Sequence, residues 1–124
     1  GRVASGPRRS QPARMLLALL GHARLGGFAD AVLGPCDADP HGPALLRAVA
    51  AFVEHNGHWE ATATALGVHR HTGRNRITAA EQVSGRRLSA AQDRHELWLA
   101  LQARDLGRAG RDGVSPGGNG ADRL

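Results

Sequence analysis

The stretch GHWEATATALGVHRHTGRNRI, residues 57–77, constrains the fold more than any other part of this chain. Helical, alanine-rich residues precede Leu66-Gly67-Val68, and a glycine between two helical patterns marks where the first one stops. Ala63 lies four positions before that glycine, where two helices crossing steeply leave no room for a larger side chain. The spacing predicts two short helices joined by a tight corner. The second opens with Arg70, His71, Thr72, Arg74, Asn75 and Arg76, so cationic and amide side chains project from its first two turns. Guanidinium groups match guanine edges and phosphates, which is the chemistry needed to enter a DNA major groove.

The rest of the chain must supply a core with little aromatic mass. Its 124 residues include two Phe, two Trp and no Tyr, so Leu, Ala and Val have to build the interior. Such segments favour helices, and no stretch alternates cleanly enough for a strand. The expected fold class is all-α, one small helical domain with tails. Residues 1–12 and 107–124 are rich in Gly and polar residues and read as disordered tails.

Residues 13–43 are expected to form N-terminal helices and a linker. Met15, Leu16, Leu19 and Leu20 recur at helical spacing, Phe28–Leu33 reads as a short helix stopped by Gly34-Pro35, and residues 36–43 read as the linker. The helix-turn-helix domain is expected over 44–106. A helix over 44–55 carries Leu45, Leu46, Val49 and Phe52 on one face and ends at Asn56-Gly57, two residues that tolerate positive φ. Helices over 58–66 and 69–83 follow, with His69 as the N-cap of the second and Ser84-Gly85 at its close. Ser89 and Gln92 suggest a capping box for a last helix over 90–106, packing through Leu97, Trp98 and Leu101.

The net charge of +5 suits a polyanionic partner. All 16 basic residues are Arg, the mark of a GC-rich coding sequence, so charge alone decides little. A single cysteine, Cys36, forms no internal disulfide and fits a reducing cytoplasm. His55-x-x-His58 and His69-x-His71 resemble metal-ligand spacings, but the first pair straddles a helix break and the second does not share a helical face. No metal and no cofactor are expected. No nucleophile sits in a Gly-x-Ser-x-Gly setting, and Glu54, Glu60 and Glu81 fall on separate helices, so an enzyme is not expected. Trp59 and Trp98 read as core residues rather than base-stacking platforms, which would need several exposed aromatics on a basic groove.

Taken together, several strings resemble one family over about Phe28 to Arg104. They are EHNG at 54–57, A-x-A-L-G-V-H-R-x-T at 63–72, R-x-R at 74–76, S-G-x-x-L-S at 84–89 and D-R-x-E-L-x-L-A-L at 93–101. This pattern resembles the C-terminal helix-turn-helix domain of PucR/CdaR-type bacterial transcription regulators. The resemblance implies a cytoplasmic, nucleoid-associated homodimer that binds double-stranded operator DNA through Arg70, His71, Thr72, Arg74, Asn75 and Arg76. It also implies an effector-sensing region N-terminal to this domain, not found in the present sequence, with residues 13–35 as the end of the connection to it. Position 73 departs from the pattern, with Gly for the usual Val or Leu, as does position 80, with Ala for Ile or Leu. Together they predict a recognition helix that is marginal without DNA or a partner. Two other readings fit the same residues: a Fis-like architectural DNA-binding domain, and a decayed helix-turn-helix that serves as a protein-interaction module.

Overall fold

A computed structural model describes residues 11–122. Six helices follow one another: α1 (Gln11–Ala18), α2 (His22–Asp37), α3 (Gly42–Glu54), α4 (Trp59–Leu66), α5 (Arg70–Ser84) and α6 (Ala91–Asp122). Among the described residues there is no strand, and the chain is all-α as its composition predicts. Residues 1–10 of the expected N-terminal tail, and residues 123–124 of the C-terminal one, lie outside the described residues.

The core is assembled from four helices. Leu33 of α2, Val49 of α3, Ile77 of α5 and Leu97 of α6 are each no more than 2% exposed. Burying each such side chain contributes roughly 1.5–3 kcal/mol, so these four anchor the packing. α2 and α6 form the principal helix pair, and α5 rests on α3, α4 and α2. Alanines at 48, 80, 100 and 103 are almost fully buried, which lets the helix axes approach closely.

Two expectations about the N-terminal half are corrected. The helix expected over 28–33 is α2, which starts at His22 and continues through Pro35 to Asp37. Proline removes one helical hydrogen bond, but only near the end of α2, where Ala38 N–H still reaches the Gly34 carbonyl at 3.0 Å. Cys36 is accordingly a buried helical residue, not part of a linker, and burial pushes its thiol pKa up. The link to α3 is a single turn, in which Asp39 accepts from His41 N–H at 2.8 Å. It is so tight that a Cβ on Gly42 would collide with the Cys36 carbonyl oxygen. Pro43 then sits in the first turn of α3, where its missing N–H is no loss.

α1 keeps most of its apolar residues outside the core. Leu17 is buried, whereas Met15, Leu16, Leu19 and Leu20 are exposed. α1 is held to α6 by Arg14, which donates to Gln102 Oε1 at 2.9 Å.

The C-terminal half also differs in detail. The capping box expected at Ser89 and Gln92 is replaced by Asp93, whose carboxylate accepts from Arg87 N–H at 2.9 Å. An acid in the first turn also complements the positive end of the helix dipole. Glu81 accepts from Leu88 N–H at 2.7 Å, and Arg86 forks onto Glu96 at 3.1 and 3.2 Å. The connection between α5 and α6 is therefore tied at both ends, with Leu88 sealed beneath it. The core stripe of α6 is Leu97, Ala100 and Ala103; Trp98 is half-buried beside a surface hollow shared with Phe52, Arg94 and His95. α6 continues through residues 107–122, where an irregular tail was expected, and nothing in its glycine-rich sequence explains the continuation.

Arg104 ties the two long helices together. Its guanidinium donates to both Asp37 oxygens at 2.9 Å and to Asp30 at 3.0 Å. The hydrogen bonds from Arg104 hold the Asp37 carboxyl below its ordinary value of 3.8. A carboxylate with a lowered folded pKa adds stability above its unfolded pKa and loses it as the pH falls through the folded value. Asp37 is 41% exposed, which places the fork at about 1 kcal/mol, the upper end for exposed pairs. Asp37→Asn is expected to lower the melting temperature by about 4 °C at pH 7. The gap between the two proteins should close on acidification below pH 3.8, as followed by thermal melts across a pH series.

Candidate nucleic-acid interface

The corner predicted at Leu66-Gly67-Val68 is present. Gly67 caps α4 with φ 70°, and Val68 N–H closes the turn onto the Ala63 carbonyl at 3.0 Å. A left-handed φ costs a residue with a Cβ about 1 kcal/mol or more, so glycine is the residue that fits. Thr62, fully buried, satisfies its hydroxyl by donating to the His58 carbonyl at 2.7 Å. His69 caps α5 as expected: its Nδ1 accepts from His71 N–H at 3.1 Å.

The inner edge of α5 is Gly73, Ile77 and Ala80, all buried. Gly73 lies directly against Ala63; a Cβ at 73 would stand 3.7 Å from the Ala63 Cβ and 3.9 Å from Val68 Cγ2. The small residues at 73 and 80 are thus accommodated by close helix approach, and α5 runs unbroken from Arg70 to Ser84.

With that edge fixed, helical geometry sends His71 and Asn75 the other way and Arg74 beside them. Arg70, His71, Arg74 and Asn75 are exposed, while Thr72 and Arg76 are half-buried at the margins. Arg70 lies on the stripe of Gly73 and Ile77 but opens the helix, so its side chain is free at the near end of the polar face. Glu60 of α4 approaches Arg70 at 3.5 Å, with both side chains largely in solvent. Such a contact contributes little and yields readily to another anion.

Arg74 is placed differently. Its guanidinium carbon lies 4.7 Å from the centre of the Trp59 ring. At an exposed site this cation–π contact is worth about 0.5–1 kcal/mol. Trp59 in turn packs on Phe52, with ring centres 4.7 Å apart and planes tilted by 47°. The sequence reading placed Trp59 in the core; it does pack against the core, but half-buried and with a face given to Arg74. A signal for this was available. Trp59 precedes Ala63 by one helical turn, and Ala63 faces Gly73, the neighbour of Arg74. Among the described residues, no three His, Cys, Asp or Glu side chains converge on a point where they could hold a metal.

Comparison with known proteins places this geometry. The family model described as the PucR C-terminal helix-turn-helix domain matches residues 45–103, from the inner face of α3 to the core stripe of α6. Residues 45–103 are a PucR C-terminal helix-turn-helix domain. The PucR-type segment is similar to the transcriptional activator PmfR of Paenarthrobacter nicotinovorans, with 37% identity over 65 residues. That match covers 52% of this chain and 14% of PmfR. It is also similar to an uncharacterized protein in the pkwA 5' region of Thermomonospora curvata, 36% identical over 74 residues, covering 59% of this chain and 41% of the relative. The chain thus spans less than half the length of the curated relatives it matches. No solved structure gives a significant match. The domain is one of DNA-binding transcription regulators.

The crossing in this PucR-type domain makes a direct prediction. A methyl group at position 73 meets Ala63 and Val68 at ordinary contact distance and improves helix propensity. Gly73→Ala should therefore stabilise the protein by about 1 kcal/mol in urea unfolding. An unchanged or lowered midpoint would contradict the packing of α5 on α4.

Proposed function

We propose that this chain binds operator DNA sequence-specifically as part of a bacterial transcription regulator, with α5 lying in the major groove. The observation that carries the reading is the division of α5 into two edges. Gly73, Ile77 and Ala80 are buried, while His71 and Asn75 stand free on the opposite side, Arg74 beside them and Arg70 exposed at the open first turn. Arginine pairs with guanine O6 and N7, and asparagine with adenine N6 and N7. Arg70, His71 and Arg74 are assigned to base edges, with Asn75 beside them. Thr72 and Arg76, at the margins of the face, are assigned to phosphates, which fix register rather than sequence. α4 braces the DNA backbone and α3 scaffolds both helices.

The similarity to PmfR, whose name is that of a transcriptional activator, supports the same role. A homodimer would set two α5 helices in successive major grooves, about 34 Å apart, and would work in the bacterial cytoplasm at the nucleoid.

Selection of bound duplexes from a random pool tests the assignment. Wild type should enrich discrete half-sites. Arg74→Ala should relax preference at one base pair, a loss of about 1–3 kcal/mol of discrimination. Arg76→Ala should weaken all duplexes alike and reduce the slope of log affinity against log salt by about 1. A bent, weakly specific footprint would favour an architectural role instead. Negligible binding at every salt concentration would favour a protein-interaction module.

A further inference from the structure

We infer that Trp59 is a positioning residue for base recognition: it holds the Arg74 guanidinium plane in a reading orientation before DNA arrives. The inference rests on the DNA-binding role proposed above and adds to it a residue that touches no base.

Three observations carry it. The Arg74 guanidinium carbon lies 4.7 Å from the Trp59 ring centre, whereas no carboxylate among the described residues forms an ion pair with it. The other arginines with described partners are engaged through their N–H groups: Arg14 by Gln102, Arg70 by Glu60, Arg86 by Glu96, Arg94 by the Leu88 carbonyl and Arg104 by Asp37 and Asp30. Arg74 is engaged by the face of an aromatic ring, and among the described residues none of its N–H groups is given to a hydrogen bond. A guanidinium held in this way keeps its donors available, and these are the groups that pair in bidentate fashion with guanine O6 and N7.

The ring is itself immobilised from behind. Trp59 packs on Phe52, 8% exposed, at 4.7 Å between centres. The series Phe52, Trp59, Arg74 runs from the core of α3 through the first residue of α4 to the free edge of α5. Trp59 therefore limits the rotamers of a long, flexible side chain. Ordering that side chain in advance removes an entropy cost from recognition and makes an off-plane, wrong-base contact harder to form. Loss of the ring should spare general attraction to the duplex, since the charge of Arg74 stays in place.

The test compares wild type, Arg74→Ala, Trp59→Leu and Trp59→Phe on the selected duplex and on its variants at the base pair that Arg74→Ala relaxes. Trp59→Leu should lose about two- to fivefold in discrimination at that one pair, with Trp59→Phe in between. Affinity for random duplex and its salt dependence should stay as in wild type. In the free protein, the upfield ring-current shift of the Arg74 δ protons should vanish in Trp59→Leu. If Trp59→Leu fails to fold, tetrafluorotryptophan at position 59, in a Trp98→Phe background, keeps the shape and depletes the ring face of negative charge. It should lose severalfold in discrimination at the same pair. Wild-type discrimination in a folded Trp59→Leu or in the fluorinated protein overturns the inference alone. Absence of duplex binding by wild type at any salt overturns the DNA-binding role and this inference with it.

Discussion

The outward face of α5 exists because its inner edge is buried. Gly73 against Ala63, then Ile77 and Ala80 against the core, fix the rotation of the helix about its own axis. Once that rotation is set, the 3.6-residue repeat leaves no choice about where His71, Arg74 and Asn75 point. A small residue on each side of the α4–α5 crossing is the condition for it. A bulky side chain at either position would push the helices apart and turn the polar face.

α3 and α6 serve that arrangement from below. α3 supplies Phe52, which supports Trp59, and Val49, which lies in the centre of the core. The tied connection over 85–90 keeps the end of α5 from unwinding, since Glu81, Asp93 and Glu96 together engage two backbone N–H groups and one guanidinium within it. These acids act mainly by accepting hydrogen bonds from a turn that has no regular structure to satisfy it.

Legibility in the sequence followed the physics of each segment. The Leu66-Gly67-Val68 corner, the Asn56-Gly57 stop and the His69 cap each depend on local backbone preferences, so they were readable from a few residues. The reach of α2 through Pro35 was not, because it depends on Cys36 packing into the core and on Asp37 meeting Arg104 from a helix far along the chain. The direction of α1 was not legible either. Periodicity shows that Met15, Leu16, Leu19 and Leu20 share a side, but not which side faces the protein. The contact of Trp59 with Arg74 joins two helices through a turn, and aromatic residues at such positions read as core by default.

The pairing of α2 with α6 encloses everything between them. Asp37 and Arg104 are 67 positions apart, whereas Ala63 and Gly73 are ten. Closing the larger loop costs roughly 1.7 kcal/mol more in chain entropy than closing the smaller. A ribosome releases the helix-turn-helix before α6, and its short-range contacts can form as soon as it emerges. Leu33, Val49 and Ile77 nevertheless stay open to water until Leu97 and Ala100 arrive, so the nascent domain completes its interior only when the last helix has been translated.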